Sequence, residues 1–461
     1  MGERNILEAS FRDPAGYVFE EGGRIKRLVT RAGSDDYRKL MSSGLYERLA
    51  KDGLLVRHIE EAHSPSWPAG AEAILQPDLV PFVSYPYEWS FGQLKDAALL
   101  TLRIQALALT YGMSLKDASA FNVQFQGAEP VFIDTLSFET NNGGPWPGYG
   151  QFCRHFVAPP TAHAALVGSG WIVDARSLDG FPLDFVSHAL PWRTYLHFGC
   201  LMHIHLHARS QRKWASRPPP TTVPVLPALD PKPVLAESLR LAVESLKQPR
   251  GNTPWANYYA EAQHYSAEAE AAKREAVLAA LEIIGPRLVY DLGGNTGAYS
   301  RLATARGAYC VSFDLDPACV QLNYMEARRQ NDANLLPLVM DFANPSPGLG
   351  FASRERPGLE SRPKADLLLG LALVHHLRVS VNVPFARLAE YFSGLGAALL
   401  IEWVPKHDPK AAGLLGSRPD TFPDYCEEAF VEACRRHFEL ECVTRLPGSD
   451  RALYLFRGAI P

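Results

Sequence analysis

The run Val289-Tyr290-Asp291-Leu292-Gly293-Gly294-Asn295-Thr296-Gly297 constrains the fold of this chain more than any other stretch: an apolar segment ends on a carboxylate and opens at once into three glycines. Residues 288–291 read as a buried strand and 298–306 as the helix after it, which puts the glycines on the strand-to-helix turn. Glycine there accepts a positive φ and leaves no Cβ between backbone and ligand. The spacing D-x-G-x-x-x-G differs from the G-x-G-x-x-G that seats a pyrophosphate, so the helix N-terminus is expected to face another part of a nucleotide cofactor.

Four further apolar runs each end at a polar or aromatic tip. Residues 308–313 lead into Asp314-Leu315-Asp316, with Asp314 placed 23 positions beyond Asp291. A carboxylate at the end of the second strand of a βαβ unit is well placed to accept both ribose hydroxyls of a nucleoside. Residues 335–340 end in Asp341-Phe342, an acceptor for an adenine amino group beside an apolar wall. Residues 365–369 lead into Leu371 and on to His375-His376-Leu377, and residues 397–401 end in Glu402-Trp403. The runs 438–445 and 452–457, split by Pro447-Gly448-Ser449-Asp450, read as a closing hairpin.

Taken in order, DLGGNTG, FDLD, MDF and ADLLLGLALVHHL resemble the motif series of class I S-adenosylmethionine-dependent methyltransferases across residues 250–461. NPSPGLG, IEWVPKHDP and RPDTFPDYCEEAF resemble the methyltransferases related to host-specificity nodulation proteins. The resemblance implies an α/β fold with a Rossmann-like seven-stranded sheet whose last strands form a reversed hairpin, and S-adenosylmethionine as cofactor. It implies that Asp291, Gly293 and Gly297 hold the methionine end of that cofactor. Gly294, Asn295, Leu315 and Leu371 group with them as cofactor-binding, beside Asp314 for the ribose and Asp341 with Phe342 for the adenine. Asp316, followed by Pro317, reads as a turn residue. The resemblance does not supply the methyl acceptor.

His375 and His376 lie just past the fourth strand, where an acceptor approaches the sulfonium. Imidazole removes a proton from an attacking hydroxyl or amine at neutral pH. Glu402, at the tip of the fifth strand, is the third catalytic candidate, as base or substrate ligand. Methyl transfer is an in-line displacement on an activated methyl group, so positioning supplies much of the catalysis. Residues 261–284 read as a lid helix on which Lys273 occupies a solvated face, preceded by Trp255, Tyr258, Tyr259 and Tyr265.

Composition bounds the rest. At 461 residues, two or three domains are expected. Hydrophobic residues make up 47% and charged residues 21%, the balance of a globular chain rather than a disordered one. A net charge of -4 gives no electrostatic footprint for nucleic acid or an anionic membrane, and no apolar window is long enough to span a bilayer. Seven scattered cysteines without a C-x-x-C fit reduced thiols in a cytoplasmic protein. The charged start MGERNILEASFRDPAG is not a secretory signal. Oligomeric state leaves no mark.

Residues 217–233 carry seven prolines and read as a stiff linker, so the chain divides into an N-terminal domain over 1–210, a linker over 211–235 and a methyltransferase domain over 236–461. The N-terminal domain reads as α+β: two strands around Glu21-Gly22-Gly23, a helix over 35–51, an extended stretch over 73–87 and an apolar helix over 94–111. Asp117 and Asn122, followed twelve residues on by Asp134, resemble the catalytic loop and metal-binding aspartate of protein-kinase-like folds. Ser114-Leu115-Lys116 and Asp134-Thr135-Leu136 depart from that pattern, a Gly-rich phosphate loop is absent, and Lys26 alone stands where the strand lysine belongs. The fold expected is a degenerate kinase-like one. His197, His203, His205 and His207 lack the carboxylate of a zinc motif, and no metal is expected.

These residues lead to a methyltransferase acting on an oxygen or nitrogen of an unidentified acceptor, a small molecule being favoured, with the N-terminal domain docking substrate or regulating. Two rivals belong to other classes: a phosphotransferase or bifunctional enzyme working through Asp117, Asn122 and Asp134, and a non-catalytic cofactor-binding sensor.

Overall fold

A computed structural model describes residues 4–167, 177–215, 230–248, 266–415 and 422–459. The chain forms two compact units. The first comprises Met1–Phe125, Pro130–Arg250 and Leu349–Arg356, and the second Gln126–Glu129, Gly251–Gly348 and Pro357–Pro461.

In the first unit, among the described residues, strands β1 (Arg4–Ile6), β2 (Gly16–Glu21), β3 (Arg24–Thr30), β4 (His58–Glu60) and β5 (Ala71–Pro77) form an antiparallel sheet in the order β1-β2-β3-β5-β4. The β2–β3 turn uses Gly22 and Gly23, both at positive φ, as the sequence suggests. The helix expected over 35–51 is two helices, Arg31–Ser42 and Leu45–Lys51, because Gly44 sits at φ 82° between them. Helix Phe91–Thr110 starts in a capping box: the Ser90 side chain accepts from Gln93 N, and the Gln93 side chain accepts from Ser90 N. Four short strands follow, β6 (Met113–Leu115) paired with β9 (Phe138–Thr140) and β7 (Val123–Gln126) with β8 (Glu129–Phe132).

Helix Lys232–Ser245 runs across the expected boundary at 236. Its buried face, Ala236, Leu239 and Val243, packs on Phe91–Thr110, so it belongs to the first unit, which runs to Arg250. An apolar stripe at helical spacing needs a partner, and here it lies upstream. Most of the proline-rich stretch is outside the described residues.

The second unit is built on seven described strands: β10 (Leu288–Leu292), β11 (Tyr309–Asp314), β12 (Leu335–Val339), β13 (Leu367–Gly370), β14 (Ala398–Trp403), β15 (Phe438–Arg445) and β16 (Ala452–Ala459). Their order is β12-β11-β10-β13-β14-β16-β15. The first five are parallel, and β16 joins antiparallel between β14 and β15. Strands β13 and β14 are buried along their whole length, which is why they read as unbroken apolar runs. Edge strand β15 instead presents Glu439, Glu441 and Arg445, charges that discourage edge-to-edge pairing. The chain goes from β10 to β11 on one side and returns to β13 on the other, and this reversal opens a crevice beyond the strands' C-terminal ends. Helix Ala267–Ile284, capped by Ser266 and ended by Gly285 at φ 58°, leads into β10.

Burial holds four imidazoles of the first unit neutral: His58, His203 and His207 are pushed down to about 4, and His155 to about 3. Unfolded histidine titrates near ~6.5, so below that pH the unfolded chain binds protons that the folded unit refuses. Stability is therefore full above ~6.5 and drains away as pH falls toward 4. Calorimetry at pH 7 and pH 5 should show the first unit's transition several degrees lower at pH 5; an unmoved transition would mean these rings are already solvated.

Candidate active site

A cavity of about 890 Å³ lies in the second unit at the C-terminal ends of β10 to β13. Asp291, Gly293, Gly294, Asn295, Asp314, Leu315, Asp341, Phe342, Leu371, His375 and His376 all line it. Two expected residues do not. Gly297, at φ 80°, closes the glycine turn, and a Cβ there would overlap the Asn323 amide. Glu402 is fully buried behind the lining, its oxygens already engaged.

The glycine turn is longer than expected: the helix after it is Ser300–Thr304 rather than 298–306. Gly293 stands at φ 80° and Asn295 at φ 50°, and a Cβ on Gly294 would collide with Ser312 and Asp291. Polar groups under the turn hold it. Ser300 Oγ donates to Asp291 Oδ2 at 2.5 Å and lies 2.9 Å from Ser312 Oγ, while Asn323 Nδ2 donates to Ser312 Oγ at 3.1 Å. Arg301 donates to Thr296 O at 2.6 Å and to Asn323 Oδ1 at 2.9 Å.

Asp314 accepts at one oxygen from Asn295 N and at the other from Asp316 N, both at 2.8 Å. Each oxygen keeps capacity for a ribose hydroxyl. Burial pushes both Asp291 and Asp314 up to about 6, and Asp314 further raises Asp291. Asp316 is the N-cap of helix Pro317–Gln330, a turn role as read from sequence, and also lines the cavity. Asp341 accepts from Ala343 N at 2.8 Å, and Phe342 packs edge-on against Phe313 at 5.7 Å. Carboxylates next to an apolar wall suit a nucleoside.

Lys273 overturns its reading as solvated. It is buried, with Nζ 2.8 Å from Glu402 Oε2 and 5.1 Å from the centre of the Tyr299 ring. Glu402 Oε2 also accepts from Ala372 N at 2.9 Å, and Oε1 lies 3.2 Å from Arg451 NH1. Arg451 grips Asp408 through two bonds of 2.7 and 2.9 Å. Burial opposes ionisation of Asp408, but the Arg451 bonds prevail and lower its pKa. Ala372, at φ 51°, directs its N–H at Glu402 from a conformation alanine rarely adopts.

His375 is 1% exposed and lowered to about 3, chiefly by burial and then by His376 and Arg451; its Nδ1 has no hydrogen-bond partner. His376, its ring centre 4.2 Å away, is the more open of the two and is also lowered by burial. Ser266, Glu270, Tyr299, Ser380, Lys410 and Arg451 complete the polar lining, and sequence reading missed all six. None stands in a motif. Trp255, Tyr258, Tyr259 and Tyr265 lie outside the described residues.

The first unit brings together Asp117, Asn122 and Asp134. Asp117 is raised by burial, opposed by hydrogen bonds from Ser119 N and Asn122, with Asp134 raising it further. Asp134 is spent internally: Oδ1 meets Arg27 NH1 at 2.6 Å and Leu136 N at 3.0 Å, and Oδ2 accepts from Ser137 Oγ at 2.6 Å. Asn122 donates to the same Ser137 at 3.1 Å, and Lys26 pairs with Glu21 and Glu61. Among the described residues no group of three or more His, Cys, Asp or Glu is placed to hold a metal ion. His203 is bonded to Tyr149 and Ser238, and His205 to Ser187 and Thr194.

The strand order, the glycine turn and the three carboxylates at the strand tips give the second unit the arrangement expected of a class I S-adenosylmethionine-dependent methyltransferase. No protein-family model matches the chain. It is 35% identical over 464 residues to Nodulation protein NoeA of Rhizobium meliloti (strain 1021), an alignment covering 98% of this chain and 95% of that protein, and it belongs to the NoeA family. Similar solved structures include the bifunctional kinase-methyltransferase WbdD, 19% identical with 41% of this chain and 39% of that one covered, at a TM-score of 0.29. Another is N-methyltransferase NodS from Bradyrhizobium japonicum WM9 in complex with S-adenosylhomocysteine, 12% identical, covering 41% and 87%, at a TM-score of 0.31. Scores of this size carry no weight in the assignment.

Two outcomes test the site. If Asp314 accepts the ribose as a carboxylate, S-adenosylhomocysteine affinity should hold above pH 6 and fall about tenfold per pH unit below it, read by titration calorimetry. A flat profile to pH 5 would dissociate Asp314 from the ribose. Lys273→Met should lower the second unit's stability by about 3 kcal/mol in urea, since Glu402 loses a buried counter-charge. Lys273→Met/Glu402→Leu should recover part of that loss, and equal losses in both variants would exclude the ion pair as the cause.

Proposed function

We propose that the chain moves a methyl group from S-adenosylmethionine to an oxygen or nitrogen of a small-molecule acceptor. The observation that carries this reading is that His375 and His376 open onto the same cavity as the tips of β10, β11 and the turn after β12. Residues for a nucleoside cofactor and for proton removal then share one enclosure. The sheet order supports a Rossmann-like, doubly wound description.

The residues suit the cofactor. Asp314 and Asp316 would hold the ribose, Asp341 and Phe342 the adenine, and Asp291, Gly293 and Gly294 the methionine end. When bound, the cofactor supplies a methyl group activated on sulfur. What this chain adds is position and proton management. His376 takes the proton from the attacking hydroxyl or amine. His375, whose affinity for a proton at about 3 is too low for that task near neutral pH, orients the acceptor. Glu402 is a positioning residue: held between Lys273 and Arg451, it sets the wall on which Ala372 sits.

The first unit is read as a docking or regulatory module of degenerate kinase-like fold. Arg27 and Ser137 occupy the Asp134 carboxylate that a phosphotransferase would give to a metal. The same occupancy weighs against the bifunctional reading.

Methyl-labelled S-adenosylmethionine, offered to the purified chain with panels of small alcohols, sugars and amines, should mark an acceptor. His376→Ala should then cut turnover about a hundredfold and leave S-adenosylhomocysteine affinity within about twofold. Asp134→Ala should likewise leave that affinity alone. Absence of heat with either S-adenosyl ligand sinks the whole reading; binding without turnover on any acceptor favours a sensor.

A further inference from the structure

The first unit exposes large apolar side chains on three successive short helices. Phe185 is 68% exposed on Leu183–Ala189, Trp192 76% and Leu196 74% on Trp192–Leu196, and Phe198 68% on Phe198–Cys200. All three helices pack against the π-helical turn Leu201–Leu206, which gathers them into one lobe. The lobe is firmly built beneath them. Leu183, Val186, Leu190 and Ile204 are buried, and His205 is bonded to Ser187 and Thr194 at 2.9 Å each while stacking on Tyr195. An apolar group of this size on a rigid lobe marks a surface that meets something other than water.

Its charge indicates what. Over residues 183–215 the chain has four basic side chains, Arg193, Arg209, Arg212 and Lys213, against one acidic, Asp184, in a protein whose net charge is -4. Asp184 is itself neutralised by Arg212 at 2.8 Å. Tryptophan and bulky apolar groups at a helix surface, flanked by arginine and lysine, suit the boundary between head groups and acyl chains. Basic groups beside them gain from anionic head groups. A second copy of the chain docked on this face would set positive against positive.

We propose that this lobe docks on an anionic lipid bilayer, with Trp192, Leu196 and Phe198 entering the interface and Arg193 and Arg209 facing lipid phosphates. No membrane span is needed: among the described residues no helix is long and apolar enough for one. The surface lies on the first unit and stands apart from the methyltransferase reading.

The full chain should cosediment with vesicles of phosphatidylcholine and phosphatidylglycerol, more weakly with phosphatidylcholine alone, and less as salt is raised. Trp192→Ser/Leu196→Ser/Phe198→Ser should lower the partition coefficient by about tenfold per side chain removed, with an unchanged thermal transition because all three are exposed. Arg193→Glu/Arg209→Glu should weaken binding to the phosphatidylglycerol vesicles only. Wild-type chain left in the supernatant with those vesicles overturns the proposal, as does a triple-serine variant that binds equally well. Self-association of the wild type that the triple variant abolishes would assign the face to a second copy instead.

Discussion

A carboxylate with no solvent at the tip of a central strand must be answered by opposite charge, and Glu402 sets that demand for the second unit. Lys273, Glu402, Arg451 and Asp408 form a chain of alternating charge with contacts between 2.7 and 3.2 Å. They come from the helix before β10, from β14, from the turn between β15 and β16, and from the loop after β14. Ion pairs this deep gain little net stability over apolar packing, yet each partner is costly to lose. The chain thus fixes register among distant segments: if one moves, a charge is stranded. The strained turn at Ala372 persists because its N–H completes the same arrangement.

The cofactor side is built on the opposite electrical rule. Asp291 and Asp314 receive serine hydroxyl and backbone N–H donors, and burial raises both to about 6 although Lys273 pulls Asp291 the other way. Burial leaves them hungry for donors or positive charge. A ligand bringing ribose hydroxyls and a sulfonium supplies both. One half of the cavity wall is therefore electrically closed and the other open, and the open half is where the strand tips converge.

This division explains what could be read from the residues in advance. Asp314 and Asp341 end apolar runs, and their spacing from Asp291 follows from the length of a βαβ repeat, so the strands and their tips were legible. Lys273 was not, because a lysine on an alanine-rich helix reads as solvated unless one knows that Glu402 lies across from it. Arg451 sits in a hairpin turn whose local sequence speaks only of a turn. Glu402 stood out for its place at a strand end, but its engagement depends on both of these. The boundary near 236 rests on proline content, which marks where a chain is stiff, whereas the partner of helix Lys232–Ser245 is set by packing against residues more than a hundred positions upstream. In the first unit Asp117, Asn122 and Asp134 were visible as a constellation, while the neutralising role of Arg27 belongs to three-dimensional placement alone.

Lys273 also divides its own helix into two mechanical parts. Ser266, Ala267 and Glu270 border the cavity, whereas the buried ammonium seven residues into the helix is pinned to β14. The leading two turns or so, a span of about 10 Å, are held by the Ser266 cap and by Tyr299 Oη donating to Glu270 at 2.9 Å, whereas Lys273 is held by a buried ion pair. Hydroxyl bonds cost less to break than a buried ion pair, so the part of this helix that borders the cavity is its softer end and the part behind Lys273 its harder one.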